Sequence, residues 1–243
     1  MMPLPVALIT GSNRGLGKAF ALTFAKKGYA VALHYNKEAE KAKETAGLIK
    51  KQNGSCEIFK ADIRSSKEAN AMVESVFKKW KRIDVLINNA GLTRDKRLAQ
   101  MSDEEWQDVL DTNLTGAFYC TRAVLAPMMS AKTGSIVNMV SYLSARPTLG
   151  AANYAAAKAG LASLTKSTAL EGGSFNIRAN AIMPGFHVTD MNRAVWERFG
   201  EQIKKQHLLS EMAGKEELAE FVFTLANLKT VTGQIFAFES RLI

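Results

Sequence analysis

Two side chains that can move a proton lie four residues apart in an Ala-rich segment. Tyr154 and Lys158 have three residues between them, so on a helix they share one face. A free Tyr has a pKa of about 10 and exchanges protons poorly at neutral pH. A fixed ammonium group beside it favours the phenolate and lowers that pKa. We therefore predict that Tyr154 is a general acid that protonates a substrate oxygen.

Two more polar residues are candidates for the same site. Ser141 follows a strand predicted at residues 135–139, and its hydroxyl could hydrogen-bond a carbonyl oxygen as charge develops there. Asn113 falls in the middle of a long helix predicted from about residue 104 to 129, which is a poor position for Asn. It could hold a water that links Lys158 to solvent.

A glycine-rich turn between the first predicted strand and the first predicted helix indicates a phosphate site. The first glycine permits a tight exit from the strand, the second lets the backbone approach a pyrophosphate, and the third lets the helix pack closely on the sheet. The helix amino terminus then points free N–H groups at the anion. The predicted cofactor-binding turn comprises Gly11, Ser12, Asn13, Arg14, Gly15, Leu16 and Gly17.

The end of the second predicted strand favours NADPH as the cofactor. An NAD site normally has Asp or Glu there, about 20 residues beyond the glycines. Residues 33–37 contain no carboxylate. Arg14 lies in the turn and Lys37 lies nearby, so a 2′-phosphate would find cations and no repulsive acid, close to Tyr35 and Asn36.

The order of elements predicts one α/β domain over residues 1–243, a Rossmann-type doubly wound parallel sheet with helices on both faces. Near-continuous apolar strands at about 6–9, 30–33, 57–59, 85–87, 135–139, 177–182 and 234–238 alternate with amphipathic helices. Residues 186–213 are predicted to form a substrate lid. Its Met191, Trp196, Phe199 and Met212 could line an apolar pocket or simply pack short helices together.

Composition excludes several other classes of protein. The net charge is +9, which could reflect solvated helix faces or attraction to anionic ligands, but no nucleic-acid-binding motif accompanies it. No signal peptide or membrane span is evident, and two isolated cysteines suit a reducing compartment. We expect a cytoplasmic protein with no metal site, because His187 and His207 lack zinc-like spacing.

Together these motifs resemble the short-chain dehydrogenase/reductase family over almost the whole chain. The matching segments are the turn at residues 10–17, Asp62 after the third strand, Asn88–Gly91, Asn113, Ser141, Tyr154, Lys158, and Pro184-Gly185 with Thr189. The resemblance implies a catalytic tetrad of Asn113, Ser141, Tyr154 and Lys158.

The resemblance also implies roles at the cofactor. Lys158 would bind the nicotinamide ribose, Asp62 and Ile63 the adenine, and Thr189 the nicotinamide side. The remaining implied cofactor contacts are Asn89, Ala90, Gly91, Tyr154, Pro184 and Gly185. The resemblance likewise implies transfer of the pro-S hydride. It also implies a dimer or tetramer whose interface is formed by two long helices.

Within the family, the chain resembles bacterial β-ketoacyl–acyl carrier protein reductases. The implied reaction is NADPH-dependent reduction of a 3-oxoacyl thioester, linked to acyl carrier protein or coenzyme A. Two departures stand out: Lys132 occupies one basic carrier-docking position but Phe175 occupies the other, and Glu239-Ser240-Arg241 replaces a usual glycine pair. A specialised acyl or polyketide-like pathway would fit these departures.

The alternatives are reduction of a free small ketone, sugar or quinone, and a non-catalytic nucleotide sensor, which would be expected to lack Tyr154 or Lys158.

Overall fold

A seven-stranded, all-parallel sheet forms the centre of the molecule. The computed structural model describes residues 3–242. The strand order is β3-β2-β1-β4-β5-β6-β7, with crossovers on both sides of β1 as in a doubly wound sheet. The strands are β1 Val6–Ile9, β2 Ala30–Tyr35, β3 Cys56–Lys60, β4 Val85–Asn88, β5 Gly134–Met139, β6 Ile177–Met183 and β7 Ile235–Ala237.

Helices cover both faces of this sheet. They are α1 Gly15–Lys26, α2 Ala39–Lys51, α3 Ser66–Trp80, α4 Asp103–Leu110, α5 Gly116–Ala131, α6 Ala152–Gly172, α7 Arg193–Lys205 and α8 Lys215–Asn227. The predicted Rossmann-type fold is confirmed, and most predicted ends are within two residues of those observed. Among residues 3–242, no helix combines the length and the apolar character that a membrane crossing requires.

Alternate residues of the central strand build two separate cores. Ala7 and Ile9 of β1 pack with α1 and α8 on one face. Val6 and Leu8 point to the other face and pack with α3 and α5. Because both faces of the strand are buried, its sequence is continuously apolar rather than alternating. The carboxyl ends of the strands are thereby held in fixed register at one edge of the sheet.

The predicted long helix at residues 104–129 is interrupted. The turn at Asp111–Thr115 is a π-helical turn that separates α4 from α5. Ser102 begins α4 with a capping box, in which its side chain accepts from the Glu105 amide and the Glu105 side chain accepts from the Ser102 amide. Asn113 lies in the π turn and is buried. Such turns often occur at functional sites, so the interruption itself marks the region near the cleft.

Candidate active site

A cleft of about 1350 Å³ opens along the carboxyl ends of the strands. Its wall includes residues of the glycine turn together with Ser141, Tyr154 and Lys158. The sheet edge brings these segments together, since parallel strands all end on the same side. The residues that the sequence indicated for phosphate binding and for proton transfer therefore share one cavity.

The glycine turn has the close packing that its sequence predicts. Gly11 has φ +63°, and a Cβ there would lie 3.0 Å from the Ala90 Cα. A Cβ at Gly17 would lie 2.2 Å from the Gly11 carbonyl oxygen, so only glycine lets α1 approach the turn. No acidic residue stands in the first turn of α1, and the residue before it gives no side-chain cap. The helix amino terminus is thus left for an anion.

A buried histidine, which sequence reasoning passed over, fixes the shape of this turn. His34 Nδ1 accepts from the Gly11 amide at 3.0 Å, and its Nε2 lies 3.0 Å from the Ala61 carbonyl oxygen. Because Nδ1 must accept, the proton is on Nε2 and the ring is neutral. Burial lowers the His34 pKa, which favours that form. Ser12 adds a hydrogen bond from its amide to the His34 carbonyl oxygen at 3.0 Å.

The expectation of a cofactor site without an acid is wrong at one residue. Glu38, just beyond the segment considered in the sequence, lies on the cleft wall and accepts from Arg14 Nε at 3.0 Å. Lys41 Nζ is 2.7 Å from the same carboxylate. Asp190 bridges Arg14 and Lys41 from the other side, 3.3 Å from each. Arg193 Nη2 also lies 3.8 Å from Asp190 Oδ1, so three cations surround these two carboxylates. Lys37 lies on the same wall.

The segment after β4 locks onto the glycine turn. The Asn89 side-chain amide donates to the carbonyl oxygens of Thr10 and Gly11, at 2.9 and 3.1 Å. The Ala90 amide donates to Thr10 Oγ1 at 3.0 Å. Asn89, Ala90 and Gly91 all line the cleft. These residues therefore both fix the glycine turn and form part of the cleft wall.

The end predicted to hold adenine is built around an ion pair. Asp62 and Ile63 line the cleft together with Asn36. Arg64 Nη2 lies 2.6 Å from Asp62 Oδ2, and its side chain lowers the pKa of Asp62. The Asp62 amide donates to Glu68 at 2.7 Å. The Asp62 carboxylate is therefore charged and held in place beside the apolar Ile63 side chain.

The Asn113 side chain makes a contact that the sequence did not predict. Its Oδ1 accepts from the Leu92 amide at 2.8 Å, and its Nδ2 donates to the Leu92 carbonyl oxygen at 2.9 Å. The side chain therefore holds the 91–92 loop instead of facing the cleft. A Cβ at Gly91 would lie 2.9 Å from Asn113 Oδ1 and 3.8 Å from Lys158 Nζ, so glycine is needed where these groups converge.

Lys158 and Tyr154 lie on one face of α6, as their spacing predicts. Lys158 is only 3% exposed, and its Nζ donates to the Met139 carbonyl oxygen at 2.7 Å. The same ammonium lies 5.6 Å from the centroid of the Tyr154 ring. Burial lowers the Lys158 pKa to about 8, so the group is still mostly charged at neutral pH.

In the chain by itself the Tyr154 pKa moves opposite to the predicted lowering, which also depended on the positive charge of an oxidised nicotinamide. Burial raises that pKa to about 12. Hydrogen bonding to the Ser141 side chain opposes the increase, whereas the charge of Asp95 adds to it. The Lys158 ammonium donates to the Met139 carbonyl oxygen, and burial is the largest influence on the Tyr154 pKa. Tyr154 consequently retains its proton at neutral pH, which is the state that a proton donor requires.

Ser141 stands two residues beyond the end of β5. It begins a 3₁₀ turn at Tyr142–Ser144, and its Oγ accepts from the Leu143 amide at 3.2 Å. That contact uses an acceptor site, so the hydroxyl proton can be donated to the Tyr154 oxygen or to a substrate oxygen. Asp95 also lines the cleft, and burial raises its pKa.

The segment after β6 closes the cleft from above. Pro184, Gly185 and Thr189 line it, and the Thr189 amide donates to Asn192 Oδ1 at 2.8 Å. A Cβ at Gly15 would lie 3.7 Å from Thr189 Cγ2, so this segment reaches the glycine turn. Met191 and Phe199 line the cleft as one alternative predicted.

Several predicted residues lie beside the cleft without forming its wall. Trp196 stacks on Phe186 with 5.6 Å between ring centroids, and Met212 lines a neighbouring cavity. Ser12 and Gly17 shape the glycine turn from behind. Tyr35 and Asn113 also lie outside the wall.

Comparison with known proteins places this geometry in a family. Residues 5–199 match the model of the short chain dehydrogenases. The chain belongs to the short-chain dehydrogenase family. This short-chain dehydrogenase is 40% identical over 230 residues to the 3-oxoacyl-[acyl-carrier-protein] reductase FabG of Staphylococcus aureus, with 94% of each chain covered. It is 37% identical over 241 residues to the 3-oxoacyl-[acyl-carrier-protein] reductase of a Synechocystis species, with 98% of this chain and 96% of the relative covered.

A solved structure with the same fold carries a cofactor. The short-chain dehydrogenase superposes with a TM-score of 0.92 on a variant of actinorhodin polyketide ketoreductase determined with NADPH. The two are 31% identical, and the match covers 98% of this chain and 96% of the other. The predicted resemblance to the family and to its 3-oxoacyl reductases is confirmed.

Proposed function

We propose that this enzyme uses NADPH to reduce the ketone of a 3-oxoacyl thioester to the 3-hydroxyacyl thioester. The observation that carries the proposal is the single cleft that joins an anion-binding turn to Ser141, Tyr154 and Lys158. The relatives named as 3-oxoacyl reductases support the substrate class. The ketoreductase with NADPH supports the cofactor.

The chain's own residues fit a phosphorylated dinucleotide. The uncapped amino terminus of α1 and the Gly15 backbone, at φ +57°, offer a cradle that a side chain would fill. Arg14, Lys37 and Lys41 would hold a 2′-phosphate, with Glu38 and Asp190 opposing it. Asp62 and Ile63 would border adenine. When bound, NADPH supplies a hydride to the ketone carbon.

Protein groups then manage the charge on the substrate oxygen. Ser141 donates a hydrogen bond to the ketone oxygen and stabilises the negative charge that develops there. Tyr154 gives its phenolic proton to that oxygen, since an alkoxide is a stronger base than a phenolate. The Lys158 ammonium, 5.6 Å from the Tyr154 ring, stabilises the phenolate that remains. Above pH about 8 the ammonium loses its proton, so we expect the rate of reduction to fall there.

The segment at residues 186–213 would act as a lid in this scheme. Arg14 and Asp190 join it to the glycine turn across 3.3 Å, so binding at the turn and closure over the substrate are linked. Met191 and Phe199 would contact the acyl chain. Within the described residues, α7 has no fully buried side chain, which suits an element that moves.

We also propose acyl carrier protein as the natural thioester carrier and a homo-oligomer as the working form. Lys132 directly follows α5 and offers a basic contact for an acidic carrier. Phe118 on α5 and Leu170 on α6 are exposed apolar residues, which supports burial of these helices between subunits. Light scattering after size-exclusion chromatography tests the oligomer. The free thiols of Cys56 and Cys120 support a reducing, cytoplasmic location.

The test of the function is a comparison of substrates under one set of conditions. Steady-state kcat/KM would be measured with acetoacetyl-carrier protein, acetoacetyl coenzyme A and small free ketones and quinones, each with NADPH and with NADH. We expect the thioesters with NADPH to give the highest values. A free ketone or quinone that exceeds both thioesters would overturn the substrate assignment, and equal or better efficiency with NADH would overturn the cofactor assignment.

A further inference from the structure

The unusual carboxyl-terminal segment returns to the active site. After β7, the Phe238 amide donates to the Met183 carbonyl oxygen at 2.8 Å. A Cβ at Gly185, whose φ is +79°, would lie 3.1 Å from Glu239 Cβ, so the two segments are tightly packed. The chain then brings Arg241 onto the wall of the cleft that also contains Ser141 and Tyr154.

Two contacts hold the Arg241 side chain in one orientation, and a third fixes the ring against which it stacks. Its Nε donates to Glu239 Oε2 in an ion pair whose side chains are 10% and 2% exposed. The guanidinium carbon lies 4.0 Å from the centroid of the Tyr142 ring. The Tyr142 hydroxyl in turn donates to the Leu242 carbonyl oxygen at 3.4 Å. Arg241 is therefore preorganised, so little conformational entropy is lost when it binds a ligand.

The terminal nitrogens of this guanidinium remain available. Within residues 3–242 neither Nη1 nor Nη2 has a hydrogen-bond partner, and Arg241 faces the cleft whereas Glu239 faces the neighbouring cavity. The carboxylate of Glu239 balances the positive charge of Arg241. Arg241 would therefore select a ligand mainly by the positions of its N–H donors. Such a group suits an oxygen acceptor in the cleft, since an Arg fork can donate to a carbonyl or to both oxygens of a carboxylate.

We propose that Arg241 is a specificity-determining residue that donates to a second oxygen of the substrate, beyond the ketone that is reduced. Tyr142, against which Arg241 stacks, is adjacent in the chain to Ser141, which binds the ketone oxygen under the proposed function on which this inference rests. Two donors on one cleft wall suit a substrate with two oxygen acceptors, such as a 1,3-dicarbonyl compound. The second acceptor is the thioester carbonyl oxygen of a 3-oxoacyl thioester or the carboxylate of a free 3-oxo acid.

When the Arg241 donor is removed, we expect kcat/KM to fall only for substrates that have the second oxygen. A site built to hydrogen-bond a substrate group discriminates against a compound without that group, because its own polar atoms are left unpaired. A simple ketone cannot form this contact, so its kcat/KM should not depend on Arg241. The three substrates to compare are the N-acetylcysteamine thioester of acetoacetate, free acetoacetate and 2-pentanone. The first lacks the phosphates of coenzyme A, which other cleft arginines would otherwise bind.

The variants are Arg241→Met, the double variant Glu239→Gln with Arg241→Met, and Arg241→Lys. The double variant avoids leaving Glu239 as an unpaired buried charge, which is strongly destabilising. The matched control is Arg82→Met, because Arg82 forms a similar ion pair with Asp84, two residues away, at 2.6 Å, outside the cleft. Thermal denaturation and the dissociation constant for NADP⁺ establish that each variant is folded and binds cofactor.

We expect the double variant to lower kcat/KM for the thioester and for acetoacetate by about 10- to 100-fold, as loss of a hydrogen bond from a charged donor implies. The value for 2-pentanone should stay within about threefold, and Arg82→Met should change no substrate selectively. Arg241→Lys, which keeps the charge but loses the fork, should give an intermediate value. If Arg241→Met does not fold, the double variant and Arg241→Lys provide the comparison.

Equal decreases in kcat/KM for all three substrates would mean that Arg241 is only structural and would overturn the inference. An unchanged kcat/KM for every substrate would overturn it as well. The proposed function fails separately, if the wild-type enzyme reduces no 3-oxoacyl thioester. In that case a selective loss with acetoacetate would still support the Arg241 subsite.

Discussion

Replacing Lys158 by Met should stabilise the protein while it removes activity. Burial lowers the Lys158 pKa from 10.5 to about 8. A difference of one between folded and unfolded pKa values corresponds to about 1.4 kcal/mol. Keeping this side chain charged in the folded protein therefore costs about 3 kcal/mol at neutral pH. Met has a similar length and no charge, so Lys158→Met should recover part of that free energy.

The pH dependence makes this prediction specific. Below pH about 8 the lysine is charged in both states, and the wild-type protein carries the full cost. Between pH 8 and 10.5 the folded protein releases its proton while the unfolded chain retains it, so wild-type stability rises with pH relative to the variant. The advantage of Lys158→Met should be largest at pH 7 and should shrink steadily toward pH 10.

Urea unfolding at several pH values and equal protein concentration measures this advantage directly. Lys166→Met on the same helix is a matched control, because Lys166 is exposed and removing its charge should have little effect at any pH. A Lys158→Met variant that is less stable than wild type at pH 7, or whose difference from wild type does not vary with pH, would refute the reasoning.

Three further perturbations test other parts of the site. Glu38→Gln should raise the ratio of kcat/KM for NADPH to that for NADH by about two- to fivefold, because it removes an exposed opposing charge; an unchanged ratio would contradict this. The His34 pKa is lowered by burial, so its contribution to stability is present above pH about 6.5 and is lost as pH falls below that. Urea unfolding should show wild-type stability falling relative to His34→Asn as pH decreases below about 6.5, because Asn keeps an acceptor for the turn and does not titrate; a parallel pH dependence of the two proteins would argue against this role. Gly91→Ala should cost about 1–3 kcal/mol of stability through contact with Asn113, whereas Gly47→Ala, where a Cβ meets nothing within 4 Å, should stabilise α2 slightly; denaturation curves in the opposite order would contradict the packing argument.

Features encoded by local spacing could be predicted from the sequence. Strand–helix alternation gave the doubly wound sheet, and the glycines at 11, 15 and 17 gave the phosphate turn. Tyr154 and Lys158 followed from a four-residue spacing on one helix. Each of these inferences depends on residues close together in the chain, whose relative positions secondary structure alone determines.

Features that depend on distant contacts were missed or misjudged. The His34 side chain matters because folding places it between Gly11 and Ala61. The role of Asn113 depends on Leu92, 21 residues away. The pKa of Tyr154 rises chiefly because the side chain is buried, and burial cannot be read from spacing. A sequence signal did exist at Glu38, which stands one residue beyond the segment that was searched for an acid.

The most direct test of the account is the turnover of Tyr154→Phe with NADPH and acetoacetyl coenzyme A. The substitution removes one hydroxyl and leaves the ring and the Lys158 ammonium in place. We predict that kcat falls by at least about 100-fold, the lower end of what a general acid contributes, while the dissociation constant for NADP⁺ changes by less than about threefold. A variant that binds cofactor normally and retains most of the wild-type kcat would contradict the assignment of Tyr154 as the proton donor.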